Sequence, residues 1–276
     1  MRNETLTGYL LHQRPYQEKR ALYYLFSQQY GVVHGVGKKG APLFVGLHLF
    51  ATGKRDLKTF SQMNIMQSDS PYIEKEAGII DSDSSIDDSS VESNALEPVK
   101  NHTKSADTLS YAQITGQNQY AALYLNEVLW RLLPTEDPMP VLWQHYQDTL
   151  ERLKQSLTPD ELRLCLRQFE KHLFFELGFE LTLSQDSSLS QINPDSTYRF
   201  LPDVGLVLIQ SDAEAVNMIA QAMFSGHEIL SMVERGMAEP TLGSWSRLHR
   251  QLIDHLLDYQ PLQSRLLWQQ QQRYQR

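Results

Sequence analysis

The sequence has very little cysteine: Cys165 is the only one in 276 residues. A single thiol excludes a disulfide framework and a cysteine-rich zinc site, and it is typical of a reducing compartment. No apolar run reaches the roughly 18 residues that a membrane-spanning helix needs. The first residues have no apolar core and no cleavage pattern, so no secretory signal is predicted. We therefore expect a cytoplasmic protein with a buried, structural Cys165.

Motifs for catalysis and metal binding are also missing. The sequence contains no H-E-x-x-H spacing and no G-x-S-x-G elbow. The glycine-rich run from Gly35 to Gly40 lacks the P-loop spacing, and it suits either a phosphate contact or a plain turn. We predict no catalytic residue, no metal and no cofactor. The chain is expected to be a binding protein rather than an enzyme.

Charge is distributed unevenly along the chain. The formal net charge is -8 overall, yet Met1 to Gln67 contains nine Lys or Arg and three Asp or Glu, a local net of +6. The remaining residues therefore carry -14. A basic region within an acidic protein is either an ordinary solvated surface or a site for an anion, of which phosphate is the commonest.

The basic region is rich in short, strand-like runs. Turn signals separate them about every 10 residues, which is typical of a small antiparallel barrel or sandwich. Leu43, Val45, Leu47 and Leu49 alternate, as expected for one buried face. The predicted strands are Thr5–His12, Ala21–Ser27, Val32–Val36, Leu43–Leu49 and Leu57–Ile65.

Most cations of this region fall between the predicted strands, where a barrel can present them together. Aromatic residues beside cations in a small barrel are the usual means of holding single-stranded nucleic acid. The alternatives are that the charges only mark solvated turns, or that they meet an acidic protein. The predicted DNA-binding residues are Arg14, Lys19, Arg20, Lys38, Lys39, Lys54, Arg55 and Lys58.

Residues 68–107 differ from the rest of the chain. They contain ten Asp or Glu, three Lys, many serines and few large apolar residues. Such a composition buries too little surface to offset the entropy of ordering, so we predict a disordered linker or insert. An acidic mimic that shields the basic barrel is the alternative.

From Tyr111 onward the apolar spacing predicts helices. One runs from Gly116 to Leu133, a second from Pro140 to Leu153, and a third opens at the N-cap residue Thr158. A hairpin is expected near residues 197–210. Further predicted helices run from a capping box at Ser211 to about Phe224, and from about Leu242 to Tyr259.

Arg167 flanks the apolar stripe of the third predicted helix. Its simplest interpretation is a surface arginine paired with Glu170. The functional interpretation is a cation at the rim of a hydrophobic groove, where it would bind a partner's carboxylate.

Several runs, taken in order, resemble the RecO family of bacterial recombination mediators. The resemblance covers most of the chain outside the acidic insert. In the N-terminal region the runs are LLHQRPYQE (10–18), LF (25–26), YG (30–31), GKKGA (37–41) and GKRDLKT (53–59). In the C-terminal region they are YLNEVLWRLL (124–133), LRQFE (166–170), LGF (177–179) and PLQSR (261–265).

This resemblance implies an α+β fold, in which a five-stranded OB-fold barrel is followed by a mainly helical domain. It implies a DNA repair protein without enzymatic activity that binds single- and double-stranded DNA, anneals strands, partners RecR and helps to load RecA. It also implies that Arg167 takes part in binding the acidic C-terminal tail of single-stranded-DNA-binding protein (SSB). The location would be cytoplasmic, with the nucleoid.

Three departures from the family pattern accompany the resemblance. The four-cysteine zinc module of many relatives is missing, the basic loop before Lys39 is short, and the acidic insert is long. We expect three parts: an OB-fold DNA-binding domain at 1–67, an acidic linker at 68–107, and a helical partner-binding domain at 108–276. An interaction adaptor without a DNA role is the alternative function.

Overall fold

The computed structural model describes residues 1–66, 113–179, 181–210 and 222–274. The N-terminal part is a closed barrel in the order β1-β2-β3-β5-β4, with β3 and β5 parallel and the other pairs antiparallel. Its strands are β1 Glu4–Gln17, β2 Arg20–Ser27, β3 Gly31–Lys38, β4 Gly46–Thr52 and β5 Leu57–Ile65.

The C-terminal part is mainly helical. Its helices in the described residues are α1 Gly116–Leu132, α2 Pro140–Leu153, α3 Pro159–Glu176, α4 Gly226–Arg235, α5 Leu242–Leu256 and α6 Gln263–Tyr274. A small sheet in the order β7-β6-β8 contains β6 Thr197–Leu201, β7 Gly205–Leu208 and β8 Met223–Ser225. The predicted α+β class, a five-stranded barrel followed by helices, is confirmed.

Local sequence signals account for several of these bounds. Thr158 caps α3: its hydroxyl accepts from the Glu161 amide at 3.3 Å, and the Glu161 carboxylate accepts from the Thr158 amide at 2.8 Å. This reciprocal pair satisfies two amides that the first turn leaves free. Cys165 lies buried on the inner face of α3, as predicted.

Other bounds differ from the prediction. Strand β4 begins at Gly46 rather than Leu43, because Phe44 has a φ of +62°, which breaks the extended backbone. The helix predicted from Ser211 lies outside the described residues over 211–221, and its predicted end at Phe224 is strand β8. The helix predicted from about Leu242 to Tyr259 is α5, which ends at Leu256, since Asp258 and Tyr259 have positive φ. Helix α4 was not predicted.

The barrel encloses one core and shares a second with the helices. Inside the barrel pack Leu6, Leu10, Tyr23, Leu25, Val33, Leu47, Leu49 and Phe60. On the outside of the barrel, Leu11, Phe26 and Val32 belong to the core formed by α1, α2 and α3. The side-chain amide of Asn126 on α1 donates to the Leu10 carbonyl at 3.1 Å and is itself buried. Barrel and helices therefore meet through buried contacts.

The segment between α1 and α2 also contacts the barrel. The Glu136 amide donates to the Val32 carbonyl at 2.9 Å. Gly31 has a φ of +64°, and a Cβ at this position would lie 1.9 Å from the Asp137 carbonyl oxygen. Only glycine fits here, so the barrel approaches this segment backbone to backbone. None of the described helices is long and apolar enough to cross a membrane.

Candidate functional site

Seven of the eight predicted DNA-binding residues have exposed side chains: Arg14, Lys19, Arg20, Lys38, Lys39, Lys54 and Arg55. In the β2–β3 pair Arg20 lies opposite Lys38. The Lys39 amide donates to the Lys19 carbonyl at 3.2 Å, and the Lys39 ammonium donates to the Glu18 carbonyl at 2.8 Å. Lys19, Arg20, Lys38 and Lys39 therefore form one cluster, which we call the hairpin cations.

Lys54 and Arg55 lie elsewhere on the barrel, in the turn between β4 and β5. Because β5 runs parallel to β3 with Leu57 opposite His34, this turn lies toward the start of β3, whereas Lys38 ends it. Leu57, the first residue of β5, pairs with His34, which lies four residues, roughly 13 Å, from Lys38 along β3. Lys54 and Arg55 therefore form a patch separate from the hairpin cations.

Lys58 is not an exposed cation, which corrects the prediction for this residue. Its side chain is 4% exposed, and its ammonium lies 2.5 Å from the Glu136 carboxylate and 2.6 Å from the Arg55 carbonyl. The register of β5 against β3 turns Lys58 toward the α1–α2 segment. Its charge is neutralised inside the joint between barrel and helices.

The glycines before Lys38 have a structural role. A Cβ on Gly35 would lie 2.5 Å from the Phe60 ring, and one on Gly37 would lie 2.8 Å from the Met63 methyl group. Both glycines belong to β3 and leave space for barrel side chains. The run from Gly35 to Gly40 was considered for a phosphate contact. The groups in it that remain suitable for such a contact are the side chains of Lys38 and Lys39.

Arg14 lies in an aromatic cluster at the joint. Its guanidinium is 5.7 Å from the Tyr24 ring centroid and 5.6 Å from that of Trp130, and its Nε donates to His12 at 3.4 Å. The His12 ring stacks on Trp130 at 4.9 Å. Burial, then the Arg14 charge, lowers the pKa of His12 despite the opposing Glu127 charge. A neutral His12 leaves Arg14 as the cation of this cluster.

A second site, which we call the arginine groove, lies among α1, α3, α5 and α6. Its volume is about 450 Å³. Apolar and aromatic side chains form part of the wall, with the Tyr120 and Trp268 rings 5.5 Å apart. The wall includes Tyr120, Ala121, Tyr124, Leu162, Leu166 and Trp268, and the cations are Arg163, Arg167, Arg247, Arg250 and Arg265.

Arg167 is tied to a buried carboxylate beneath this groove. Its Nη2 lies 2.5 Å from Glu170, which also accepts from the Tyr124 hydroxyl at 2.5 Å and contacts His249 Nδ1 at 2.9 Å. The ion pair with Glu170 that the sequence suggested is therefore present, and Arg167 also lines the groove. Its Nε has no hydrogen-bond partner in the described residues.

Charge and burial act in opposite directions on this network. Burial alone would raise the pKa of Glu170, but the Arg167 charge and the hydrogen bonds from His249 and Tyr124 outweigh it, so the pKa lies below its usual range. Burial, then the Glu170 charge, raises the pKa of Tyr124. Burial lowers the pKa of His249 even though Glu170 opposes this. The network thus holds an ionised Glu170 and a neutral His249.

Three of the other groove arginines also have carboxylate partners: Arg163 pairs with Asp160, Arg247 with Glu228 and Arg265 with Asp254. Arg250 is exposed and forms no ion pair with a described residue. Prediction from sequence missed Arg163, Arg247, Arg250 and Arg265. They come from helices far apart in the chain, and the local signals are the four-residue step from Arg163 to Arg167 and the three-residue step from Arg247 to Arg250.

Comparison with known proteins identifies the fold's relatives. The family model "Recombination protein O C terminal" matches residues 115–265, more than half of the chain. The chain belongs to the RecO family. The DNA repair protein RecO of Pseudomonas paraeruginosa is 32% identical over 267 residues, which cover 94% of this chain and 92% of that protein. The RecO of Pseudomonas putida is 31% identical over 268 residues and 95% of each chain.

A third RecO relative, from Pseudomonas entomophila, is 37% identical over 158 residues, or 57% of this chain and 65% of that protein. The family match includes the helices of the arginine groove as far as Arg265, and the longer alignments extend over most of the chain. The resemblance seen in the sequence is therefore confirmed as RecO family membership. In the described residues no group of three or more His, Cys, Asp or Glu is arranged to hold a metal ion.

Proposed function

We propose that this RecO-family chain is a non-enzymatic mediator of DNA repair and homologous recombination, which acts in the cytoplasm at the nucleoid. In this proposal the barrel binds single- and double-stranded DNA and anneals strands, and the helical region binds the SSB tail. Together with RecR, the protein helps to load RecA. The relatives carry the name DNA repair protein, which supports the repair role.

The arginine groove is the observation that carries the proposal. An acidic peptide with an aromatic end needs cations beside an apolar wall, and the groove combines five arginines with Tyr120, Trp268, Leu162 and Leu166. Arg250 has no carboxylate partner among the described residues and is free to receive the ligand's first carboxylate. Arg167 provides a second cation that Glu170 holds in a fixed orientation.

Substitutions in the groove test SSB-tail binding. We expect Arg250→Ala to weaken binding of an SSB tail peptide by about tenfold, since a charge-assisted hydrogen bond contributes about 1.5 kcal/mol or more. Arg167→Ala should also weaken it, with naked-DNA binding retained. Arg235→Ala, on the exposed end of α4, is the matched control. Fluorescence anisotropy with a labelled peptide measures both, and unchanged peptide affinity in Arg250→Ala and Arg167→Ala would refute this role.

The hairpin cations test DNA binding. For Lys38→Gln/Lys39→Gln we expect weaker oligonucleotide binding, and a slope of log affinity against log salt that is smaller by about 1.4, since each contact with a single-strand phosphate contributes about 0.7. Lys154→Gln/Arg235→Gln removes the same charge from helical sites as the control. If both variants bind DNA equally well, the alternative of a protein-interaction adaptor without a DNA role gains support. Annealing of complementary SSB-coated strands then tests the whole function.

A further inference from the structure

A separate groove lies between α2 and α3 and shares no lining residue with the arginine groove. Its volume is about 400 Å³. Helix α2 contributes residues at steps of three and four, and so does α3, so each helix presents one continuous face to it. The lining residues are His145, Asp148, Thr149 and Arg152 on α2, Cys165, Gln168, Phe169, Lys171 and His172 on α3, and Met237 after α4.

Two histidines meet in this groove. The ring centroids of His145 and His172 are 3.4 Å apart, and the planes differ by 16°. Two neutral aromatic rings disfavour this face-to-face arrangement, because their quadrupoles repel. A protonated ring on the face of a neutral one is attracted, and two protonated rings repel. The stacked pair can therefore accept one unit of charge but opposes a second.

The surrounding charges are mostly positive. Arg152 and Lys171 form no ion pair with any carboxylate of the described residues, and Arg152 donates only to the Gln168 side chain, at 2.8 Å. Asp148 is the one carboxylate in the lining, and it accepts from Gln144. Burial raises the pKa of Cys165 despite the Arg152 charge, so the thiol adds no negative charge. Two cations against one anion leave the groove at +1 before any histidine is protonated.

We propose that the α2–α3 groove binds the oxyanion of a phosphate group, and that the stacked His145–His172 pair takes up a proton when it does. The Arg152 guanidinium and the Lys171 ammonium supply the permanent charge, and the guanidinium has donors that Gln168 does not use. The anion offsets the repulsion that opposes protonation of the pair, so anion binding and proton uptake favour each other.

The pKa of His172 in the free protein agrees with this coupling. Burial, then the charges of His145 and Lys171, lowers the pKa of His172. At neutral pH His172 is therefore neutral in the empty groove, and a bound anion favours its protonation. The groove has neither the paired aromatic wall nor the cluster of arginines of the arginine groove, so it suits a compact oxyanion rather than a peptide.

The test uses sulfate as the probe, because its charge does not change between pH 5 and 8. Binding to the full chain is followed by the ring signals of the histidines in NMR spectra. We expect affinity to rise by up to about tenfold for each unit of pH decrease through the titration of the pair, since one proton is taken up. The double variant His145→Phe/His172→Phe should make sulfate affinity independent of pH, because either histidine alone can still take up a proton, and His145→Gln/His172→Gln is the second variant should the first fail to fold.

Arg152→Gln should weaken sulfate binding several-fold at every pH, whereas Arg273→Gln, at an exposed position that lines neither groove, should leave it unchanged. An oligonucleotide of thymidines identifies the source of the phosphate. If its affinity shows the same pH dependence and loses it in the double histidine variant, the groove receives the nucleic-acid backbone. If only sulfate and inorganic phosphate behave so, the ligand is a free anion. Absence of sulfate binding, or pH dependence that survives the double histidine variant, overturns the proposal without bearing on the hairpin cations or the arginine groove.

Discussion

The barrel and the helical region both place cations on their surfaces, but they hold them differently. The seven exposed barrel cations form no ion pair with any described carboxylate, whereas four of the five groove arginines do. A phosphate that binds the barrel displaces only dissolved counterions, so its affinity should fall steeply with salt. A ligand in the arginine groove competes with carboxylates already present, and its affinity depends more on shape and on the apolar wall.

This difference also separates binding from stability. Unpaired surface cations contribute little to folding, and their removal is nearly neutral. The network of Glu170, Arg167, His249 and Tyr124 is buried, and the removal of one member leaves the others without a partner. Removal of charges from the Glu170 network should therefore lower the stability of the fold. Removal of the exposed barrel cations should instead lower the affinity for DNA.

Glu170→Ala should have the largest effect on stability. Glu170 is 1% exposed, and its loss leaves the Arg167 charge, the Tyr124 hydroxyl and His249 without their acceptor. We expect the free energy of unfolding to decrease by about 3 kcal/mol or more. Urea denaturation followed by circular dichroism measures it.

The matched control for Glu170→Ala is Glu151→Ala on α2. Glu151 pairs with Lys154, but its side chain is 65% exposed, so the expected loss is below about 1 kcal/mol. Equal losses in the two variants would mean that the Glu170 network does not stabilise the fold more than an exposed ion pair does. The contrast between the two regions would then no longer hold.

Acid should destabilise the same network. The pKa values of Glu170 and His249 are both lower in the folded protein than their ordinary values. The unfolded chain therefore binds more protons, and the free energy of unfolding falls as pH falls. The His249 contribution is fully present above its ordinary pKa of 6.5 and is lost as pH falls below it, and the Glu170 contribution follows below 4.5.

Urea denaturation between pH 8 and 4 measures this dependence, with a slope of at most about 1.4 kcal/mol per pH unit for each proton. His249→Phe should reduce the part that begins near pH 6.5, to which His12 and His172 also contribute because their pKa values are lowered too. A stability that rises as the pH is lowered from 7 to 5 would contradict the expected sign. Oligonucleotide binding by the hairpin cations should change little over this range, since lysine and arginine remain charged.

Local signals explain which parts of the molecule could be predicted from sequence. Alternating residues identified the barrel strands, and Thr158 with Glu161 identified the start of α3. Cys165 was placed correctly from the apolar spacing of its helix. Each of these features depends on residues within one turn or one strand, where propensity and spacing act directly.

Features that arise from distant contacts could not be predicted in the same way. The parallel pairing of β3 with β5 decides that Lys58 turns inward, and nothing near Lys58 in the sequence reports this. The arginine groove needs α1, α3, α5 and α6 together, so its cations are separated by up to about a hundred residues. The positive φ of Phe44 moved the start of β4 although the apolar alternation continued.

Substitution of Lys58 has the smallest expected effect on stability. It also tests the comparison between barrel and groove directly, because Lys58 is a barrel cation that is paired with a carboxylate, as four of the groove arginines are. We expect Lys58→Met to reduce the free energy of unfolding by about 1 kcal/mol, since Glu136 is 42% exposed and water can replace its partner. Oligonucleotide affinity should change by less than about twofold, because the ammonium contributes no phosphate contact. Lys54→Met, in the exposed β4–β5 turn, should do the reverse: unchanged stability and weaker DNA binding. A Lys58→Met variant with native stability and much weaker DNA binding would place Lys58 with the exposed cations, and burial would no longer distinguish the two kinds of site.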